Sequence, residues 1–475
     1  MNTDASLFPQ DDNLEPMPAP AAAAEKPVAD ARPRLRRPER QQAEMHCESL
    51  DHLLPPDHQV RIVWQWVERL DLTPLLQSIR AVDGRPGRSA NDPRLLLALW
   101  LYATIDGVGS GRELERLCAE HLAYRWLCGG VSMNQHTLTD FRNSNVAVLN
   151  DLLIKSVGTL RHQGLVELQR VAQDGMRVRA SAGASSFHRI GTLQEHLEEA
   201  RAQVQELQKQ LGEDDNAVTR RQQAARERGA RERVERLEQA LQELAKLTEL
   251  RETQKQEKGT KVDLEQLRTS ETDPEARRMK MPDGGTRHAY NVQLATTVGS
   301  GIIVAVDVTN SGGDGGQMAP MVAKIVKDFG QAPAEMLIDG GFTTLDDIEQ
   351  VHAQHQTKVF GPIKDEEKKK ANGIDPFQPR PRDGAGVAAW RQRMGTEEAQ
   401  TIYKLRAQTA EWANAGMRNR GLQQFRVRGL RNVLAVTLCY ALAHNLLRAH
   451  VLQANASPEQ AAKPATARSK KPEDR

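Results

Sequence analysis

The most constraining feature of this 475-residue chain is the order of its strand-like and helical segments after residue 165. A first strand-like segment, LVELQRVAQDGMRVRA, precedes two long helical patterns, and strands resume with YNVQLATT and GIIVAVDVT, which a short VGSG turn joins. Helical patterns then alternate with the short strands EMLID and KVFGPI. Without the helical insertion the order is β-β-β-α-β-α-β-α. This order predicts an α/β fold in which a mixed sheet is flanked by helices.

The region before the first strand is helical in pattern. Its apolar positions recur at helical spacing, and the break CGGVSMN separates two helical segments. Two helices joined by a Gly-containing turn fit a helix-turn-helix, and an ordinary αα-hairpin fits the same spacing. In the first case the candidate reading helix begins with Asn134, Gln135, His136 and Thr137 and includes Arg142.

Composition divides the rest of the chain. The Pro/Ala-rich N-terminus and the tail KPATARSKKPEDR are basic and poor in apolar residues, which predicts disorder. The Leu/Val-spaced, Glu/Arg-rich segments after the first strand predict an antiparallel helical hairpin of coiled-coil type. The predicted organisation is a disordered basic segment over 1–45, a helical domain over 46–160, an α/β domain over 161–452 with a helical insertion at 191–270 and a loop insertion at 364–390, and a disordered basic tail over 453–475.

Charge and cysteine content restrict the possible functions. The formal net charge is only +2, yet basic residues are concentrated in a few segments, which indicates a phosphate-bearing partner. The four cysteines show neither CxxC nor zinc-finger spacing, which argues against a disulfide framework or a structural zinc. The N-terminus lacks the pattern of a signal peptide, and the apolar stretches are short or contain His and Asn, so we expect no membrane span and a cytoplasmic location.

Three carboxylates are candidates for chemistry. Between Thr401 and His450 the chain has eight basic residues and a single acidic one, Glu411. A lone Glu on a basic helix can simply relieve charge repulsion, but Asp174 and Asp339 each follow an apolar strand segment and precede Gly. Buried carboxylates need a partner, and shared divalent cations supply one. Oxygen ligands of this kind suit Mg²⁺, with Mn²⁺ as a substitute.

These motifs resemble the DDE transposases of bacterial insertion sequences. The resemblance rests on Asp174-Gly175, on YNVQLAT with VTNSGGD, on the block Asp339-Gly340-Gly341-Phe342, and on Tyr403-x2-Arg406-x4-Glu411-x6-Arg418. Related families place three residues between the Arg and the Glu and end the block in Lys. The stretches DPRLLLALWLYATIDGVGSGRELERLC and HTLTDFR resemble the N-terminal region of the same proteins.

The resemblance implies a ribonuclease H-like catalytic core and a specific site. Asp174, Asp339 and Glu411 would be the catalytic residues and would bind two Mg²⁺ ions for phosphoryl transfer. Residues that would contact DNA phosphates are Tyr403, Arg406, Arg418 and Arg420. The implied partners are double-stranded DNA, as transposon ends and target, and further copies of the chain in a synaptic complex of at least two.

Two other functions remain open, and several acidic residues have structural roles as the simpler interpretation. A ribonuclease H-like nuclease without strand transfer, and a non-catalytic DNA-binding repressor, would share this pattern. We interpret Asp314, in SGGDGGQ, as a helix N-cap rather than a metal ligand, and Asp346 and Asp347 as first-turn acids of a helix.

Overall fold

The computed structural model describes residues 49–81, 89–211, 217–258 and 264–456. The predicted disordered segment over 1–45 and residues 457–475 of the predicted tail lie outside these ranges. The strands in the described part are β1 (Arg170–Arg179), β2 (Phe187–His188), β3 (Thr269–Ser270), β4 (Arg277–Lys280), β5 (Thr286–Thr297), β6 (Ile303–Thr309), β7 (Glu335–Leu337) and β8 (Lys358–Phe360).

Helices surround these strands. They are α1 (Gln59–Glu68), α2 (Thr73–Gln77), α3 (Pro93–Ile105), α4 (Gly111–Glu120), α5 (Leu122–Cys128), α6 (Gln135–Ser144), α7 (Val146–His162), α8 (Ile190–Leu211), α9 (Ala217–Lys258), α10 (Met318–Phe329), α11 (Leu345–His355), α12 (Glu366–Ala371), α13 (Ala385–Met394), α14 (Glu397–Asn419) and α15 (Leu430–Asn455). The result is the mixed α/β architecture that the segment order predicts.

The main sheet is mixed, with β1 at its centre. β1 pairs antiparallel with β5 and parallel with β7, and β7 pairs parallel with β8. The long β5 pairs with β1 along one edge, and with β4 and then β6 along the other, both antiparallel. The strand order from β6 is therefore β6-β5-β1-β7-β8, with β4 beside the first part of β5. Most of β5 is buried on both faces, as expected for a strand covered by helices.

Two apolar cores hold the helices onto the sheet. One lies between the sheet and helices α10, α11 and α13, and the other joins the N-terminal helices, α15 and residues of β1, β5 and β6. α7 contributes to both, with Leu152 and Leu153 in one and Val157 and Leu160 in the other. The predicted domain boundary at residue 160 therefore coincides with the end of a helix and not with a break in packing.

α15 is long and apolar enough, by length and composition, to cross a membrane. Of its most apolar window, 72% is buried inside the protein, where the helix packs against α3, α7 and β6. Asn445 also bonds from this helix to the backbone of Ile303, donating to its carbonyl at 2.7 Å and accepting from its N–H at 2.8 Å. α15 is thus a core helix that fixes the edge strand β6.

The helical insertion is an antiparallel pair formed by α8 and α9. Arg201 pairs with Glu238 at 2.9 Å and Gln208 bonds Glu227 at 3.2 Å, a register that only antiparallel helices give. Leu193, Leu197 and Ala200 pack against Leu237, Ala240 and Leu244 between them. A small antiparallel ribbon of β2 and β3 closes the base of the pair. β2 precedes the stretch predicted as a helical insertion, and β3 is a short strand at its end.

The stretch over 364–390, predicted as a loop, contains α12 and the start of α13. The loop prediction is wrong for these residues because partners remote in sequence support the second helix. The carboxylate of Glu349 accepts the N–H groups of Gly386 and Val387, and Trp390 donates to the carbonyl of Gly361 at 3.1 Å. Local sequence shows the Pro and Gly residues but not these tertiary bonds.

Candidate catalytic site and comparison with known proteins

Asp174 lies in the middle of β1, not at the end of a strand as its Gly neighbour had suggested. Its side chain is half-buried and faces α14. The N–H of Gly175 donates to Asp174 Oδ1 at 2.9 Å, and Asn414 Nδ2 donates to Asp174 Oδ2 at 2.8 Å. The carboxylate is therefore oriented by its own strand and by the helix that also carries Glu411.

The electrostatic environment of Asp174 opposes its ionisation. Its pKa is raised to about 6, mainly by burial and further by the neighbouring carboxylates of Asp339 and Asp314. The guanidinium of Arg406 acts in the opposite direction and lowers it. A group of acids whose charges repel each other in a partly dry cleft is typical of a cation site.

Asp339 follows β7 by two residues, in a tight turn. Its Oδ1 accepts the N–H groups of Gly341 at 2.8 Å and Phe342 at 3.3 Å. A Cβ at Gly341 would stand 3.1 Å from Asp339 Oδ1 and 3.4 Å from Asp314 Oδ2. The two carboxylates therefore flank the same glycine, which explains why the turn needs a residue without a side chain.

Asp314 is an acid of this site that the sequence analysis had assigned elsewhere. The N-cap interpretation is wrong, since α10 begins at Met318 with Gln317 as its N-cap. Asp314 is only 5% exposed, and its oxygens accept bonds from Arg177 at 2.6 Å, Asn291 at 2.7 Å and Gln293 at 3.0 Å. The glycines on both sides of Asp314 were the available signal, because they let the chain bring this carboxylate against the sheet.

Helix α14 places the remaining candidates along the cleft. Ala410, Ala413, Asn414 and Met417 form its buried face, while Glu411 is exposed. Within the described residues Glu411 has no hydrogen bond or ion pair. Residues three apart on a helix are neighbours, so Glu411 lies beside the Asn414 contact to Asp174. The structure thus brings Asp174 and Asp339 together, and Glu411 lies on the exposed side of the helix that contacts Asp174.

The predicted phosphate-binding residues occupy different environments. Burial raises the pKa of Tyr403. The charge of Arg406 lowers this pKa and the charges of Asp339 and Asp174 raise it, so Tyr403 lies near these three residues. Arg406 NH1 is buried without a hydrogen-bond partner in the described part of the chain, whereas Arg418 is exposed. Arg420 is half-buried and donates to the carbonyl of Gly416 in its own helix at 2.9 Å.

Two family descriptions match the chain. "Transposase domain (DUF772)" matches residues 48–144, and "Transposase DDE domain" matches residues 380–450. These matches support an insertion-sequence DDE transposase. They confirm the resemblance inferred from the motifs and support a transposase function. Comparison with curated proteins and with solved structures gave no match.

The two matches cover α14, with Glu411, and α6, the predicted reading helix. In α6, Asn134 is the N-cap, and its side chain accepts the N–H of His136 at 2.7 Å. Asn134 and His136 are exposed, and Gln135 and Thr137 are half-buried. A role of these four in DNA reading remains a prediction.

Arg142 differs from these four because it is buried. It is 3% exposed, and its guanidinium carbon lies 3.8 Å from the ring centroid of Trp100. Burial lowers the pKa of this guanidinium. The position does not support contact with bases; Arg142 packs helix α6 onto α3.

The donor set of the candidate site fits divalent cations. Asp174 and Asp339 present carboxylate oxygens to one cleft, and Asn414 Oδ1 is buried there without a hydrogen-bond partner among the described residues. Oxygen donors that repel each other are stabilised when a cation is bound between them. The set resembles the hard ligands of Mg²⁺ or Mn²⁺ sites more than the imidazole and thiolate ligands of zinc.

Proposed function

We propose that this protein is a DNA transposase that binds insertion-sequence ends, cleaves them by metal-dependent phosphodiester hydrolysis, and joins the freed 3′ hydroxyl ends to target DNA. The observation that carries the proposal is the contact of Asn414 with Asp174. This contact seats the helix of Glu411 against the strand of Asp174, beside the turn of Asp339.

We also propose a ribonuclease H-like catalytic core. The strand order β6-β5-β1-β7-β8 supports it, with antiparallel pairing on one side of β1 and parallel pairing on the other. In this fold Asp174 lies on the central strand, Asp339 after its parallel neighbour, and Glu411 on a helix that covers both. The catalytic domain would span 161–452 and the helical DNA-binding domain 46–160.

Asp174, Asp339 and Glu411 would hold Mg²⁺. When bound, these ions would lower the pKa of the attacking water and offset charge on the leaving 3′ oxygen. The exposed position of Glu411 allows its carboxylate to turn towards the two aspartates as DNA enters.

The remaining residues would handle the DNA itself. Arg406 lowers the pKa of Asp174 and so favours the ionised ligand. Arg418, with a planar guanidinium, would bind a backbone phosphate in bidentate fashion. Tyr403 would contact the DNA backbone about four helical turns away on the same helix. Hydrolysis and joining are the same phosphoryl transfer with different nucleophiles, so one set of residues serves both. Action on two ends implies a synaptic complex of at least two copies, in the cytoplasm.

The test is cleavage of labelled DNA, taken from the sequences that flank the coding region, in the presence of Mg²⁺. Asp174→Asn, Asp339→Asn and Glu411→Gln should each abolish cleavage while end binding stays within about threefold of the wild type. Asp307→Asn, an exposed acid on β6, is the matched control and should cleave normally. Full activity in any of the three variants would reject that residue.

A second substrate separates the alternatives. An end that is already cut, with a free 3′ hydroxyl, should be joined to a target plasmid by the wild type. Mg²⁺-dependent nicking without joining would favour the nuclease, and end binding without nicking would favour the repressor.

A further inference from the structure

A second cluster of ligating side chains lies at the base of the helical insertion. His188 is on β2, His196 is on the second turn of α8, and Glu271 directly follows β3. One ligating atom from each lies within 4.8 Å of the others. None of the three belongs to the cleft of Asp174 and Asp339.

The backbone holds the three side chains in place. The β2–β3 pairing extends by one bond, from the N–H of Glu271 to the carbonyl of Ser186 at 3.0 Å, which fixes Glu271 beside β2. On α8, Leu193 and Leu197 are buried in the hairpin core, and they set the rotation of the helix that presents His196. The cluster therefore lies between two independently anchored elements.

The distances are close to those in the ligand sphere of a small metal ion. His196 Nδ1 is 3.0 Å from Glu271 Oε2, and His188 Nε2 is 4.0 Å from Glu271 Oε1. Ligand atoms bound to zinc at about 2.0–2.2 Å in a tetrahedron lie roughly 3.3–3.6 Å apart. All three ligand atoms lie within 4.8 Å of one another, so changes of at most about 1.5 Å in their separations would make them three corners of a tetrahedron, with water at the fourth.

We propose that His188, His196 and Glu271 bind a transition-metal ion, Zn²⁺ by its ligand class. Two imidazoles with one carboxylate favour Zn²⁺ over Mg²⁺, whose preferred ligands are all oxygen. The three side chains are each about a quarter exposed, so an ion can enter from solvent and is still partly shielded. This site is distinct from the proposed catalytic one in both place and ligand chemistry.

The ion would join the root of the helical insertion to the sheet. β2 is anchored on β5, because Phe187 stacks on His288 with nearly parallel rings. From the other side, Glu243 of α9 forms an ion pair with Arg277 of β4. A metal between β2, β3 and α8 would add a third link and restrain the direction in which the insertion points.

The experiment uses the untagged full-length chain carrying Asp174→Asn and Asp339→Asn, stripped with EDTA, so that the catalytic carboxylates contribute little binding. Titration with Co²⁺ should give one equivalent bound, with the visible d–d bands of a tetrahedral site, and Zn²⁺ should displace it. Excess Mg²⁺ should not. The melting temperature should rise with Zn²⁺, because an ion that binds only the folded state stabilises it.

Variants assign the ligands. His196→Ala and His188→Ala should each weaken Co²⁺ binding at least about tenfold and abolish the bands, whereas the exposed His162→Ala should bind as the parent does. Circular dichroism of the metal-free proteins will show whether the alanine variants fold. If they do not, Glu271→Gln, which keeps the size of the side chain, tests the site.

Three results would overturn the proposal: no stoichiometric Co²⁺ binding in the parent, equal binding in His196→Ala, or displacement by Mg²⁺ at similar concentration. The first would leave a His–Glu hydrogen bond without an ion. A failure of DNA cleavage would not bear on this site, since the probe is metal binding alone.

Discussion

Asn414 donates a 2.8 Å hydrogen bond to Asp174 across a separation of 240 residues. It is the direct link between the central strand and the helix of Glu411. Its buried Oδ1 has no hydrogen-bond partner in the described residues, so the side chain keeps one acceptor within the cleft.

Asn414→Ala should reduce Mg²⁺-dependent cleavage. The loss of the bond leaves Asp174 oriented only by the N–H of Gly175, and removal of a residue that orients a metal ligand typically costs about 10–100-fold in metal affinity or activity. The measurement is the cleavage rate as a function of Mg²⁺ concentration, and the half-saturating concentration should rise about tenfold.

The matched control is Asn432→Ala, because Asn432 bonds only to the carbonyl of Arg428 in the described structure, near the start of α15. Its cleavage should equal that of the wild type. If Asn414→Ala cleaves normally at low Mg²⁺ concentration, the orienting role is wrong.

Asp174→Asn should stabilise the metal-free protein at neutral pH. Burial raises the pKa of Asp174 to about 6 in the folded state, above its ordinary value of 3.8. The folded state therefore binds the carboxyl proton of Asp174 more tightly than the unfolded state does. The contribution of this group to the free energy of unfolding is complete below about pH 4 and is lost as the pH rises through about 6. The amide removes that cost, so the free energy of unfolding should increase by about 1–3 kcal/mol at pH 8 and little at pH 4.

Urea unfolding in EDTA at the two pH values measures this difference. Added Mg²⁺ should stabilise the wild type at pH 8 and leave Asp174→Asn unchanged. An amide variant that is less stable at pH 8 than the wild type would contradict the assignment.

Gly175→Ala should impair both stability and cleavage. A Cβ at this position would lie 2.3 Å from Asp314 Oδ1 and 2.8 Å from Gln293 Nε2, so the network around Asp314 must move. Overpacking of this kind costs about 1–3 kcal/mol. Thermal unfolding and cleavage assays would measure the effect.

Gly158→Ala is the opposite case and serves as the control. Gly158 lies in helix α7 with open space around the position of a Cβ. The alanine should add about 0.5–1 kcal/mol of stability and leave cleavage unchanged. If Gly175→Ala and Gly158→Ala had the same stability and the same cleavage activity, the crowding at Gly175 would not affect either property.

Arg142→Ala should act on folding and not on DNA sequence preference. The guanidinium is stacked on Trp100 inside the helical region, so its removal should cost about 2–4 kcal/mol through a cavity and a lost cation–π contact. Urea unfolding measures the loss, and Arg112→Ala, on the exposed side of α4, should stay within about 0.5 kcal/mol. A changed base preference with unchanged stability would restore the reading role.

Several features of the fold could be predicted from local pattern. The alternation of apolar residues indicates the order of strands and helices, and the Leu/Val spacing indicates the paired helices α8 and α9. The tertiary bonds of α13 to Glu349 and Gly361 could not be predicted, because their partners lie far away in the chain. The buried position of Arg142 could not be predicted either, since a basic residue on a polar helix usually faces water.

What the sequence alone determined is the set of acids and the family resemblance, because residue identity and spacing are local properties. Only the tertiary structure decided which groups meet: Asp174 within its strand, Asp314 in the same cleft, and Asn414 as the direct contact from α14. Pairing of β1 with β5 and β7, and burial of one face of α14, bring these residues together. Burial and charge repulsion between carboxylates arise only in that packed state, and they explain why the pKa of Asp174 is raised.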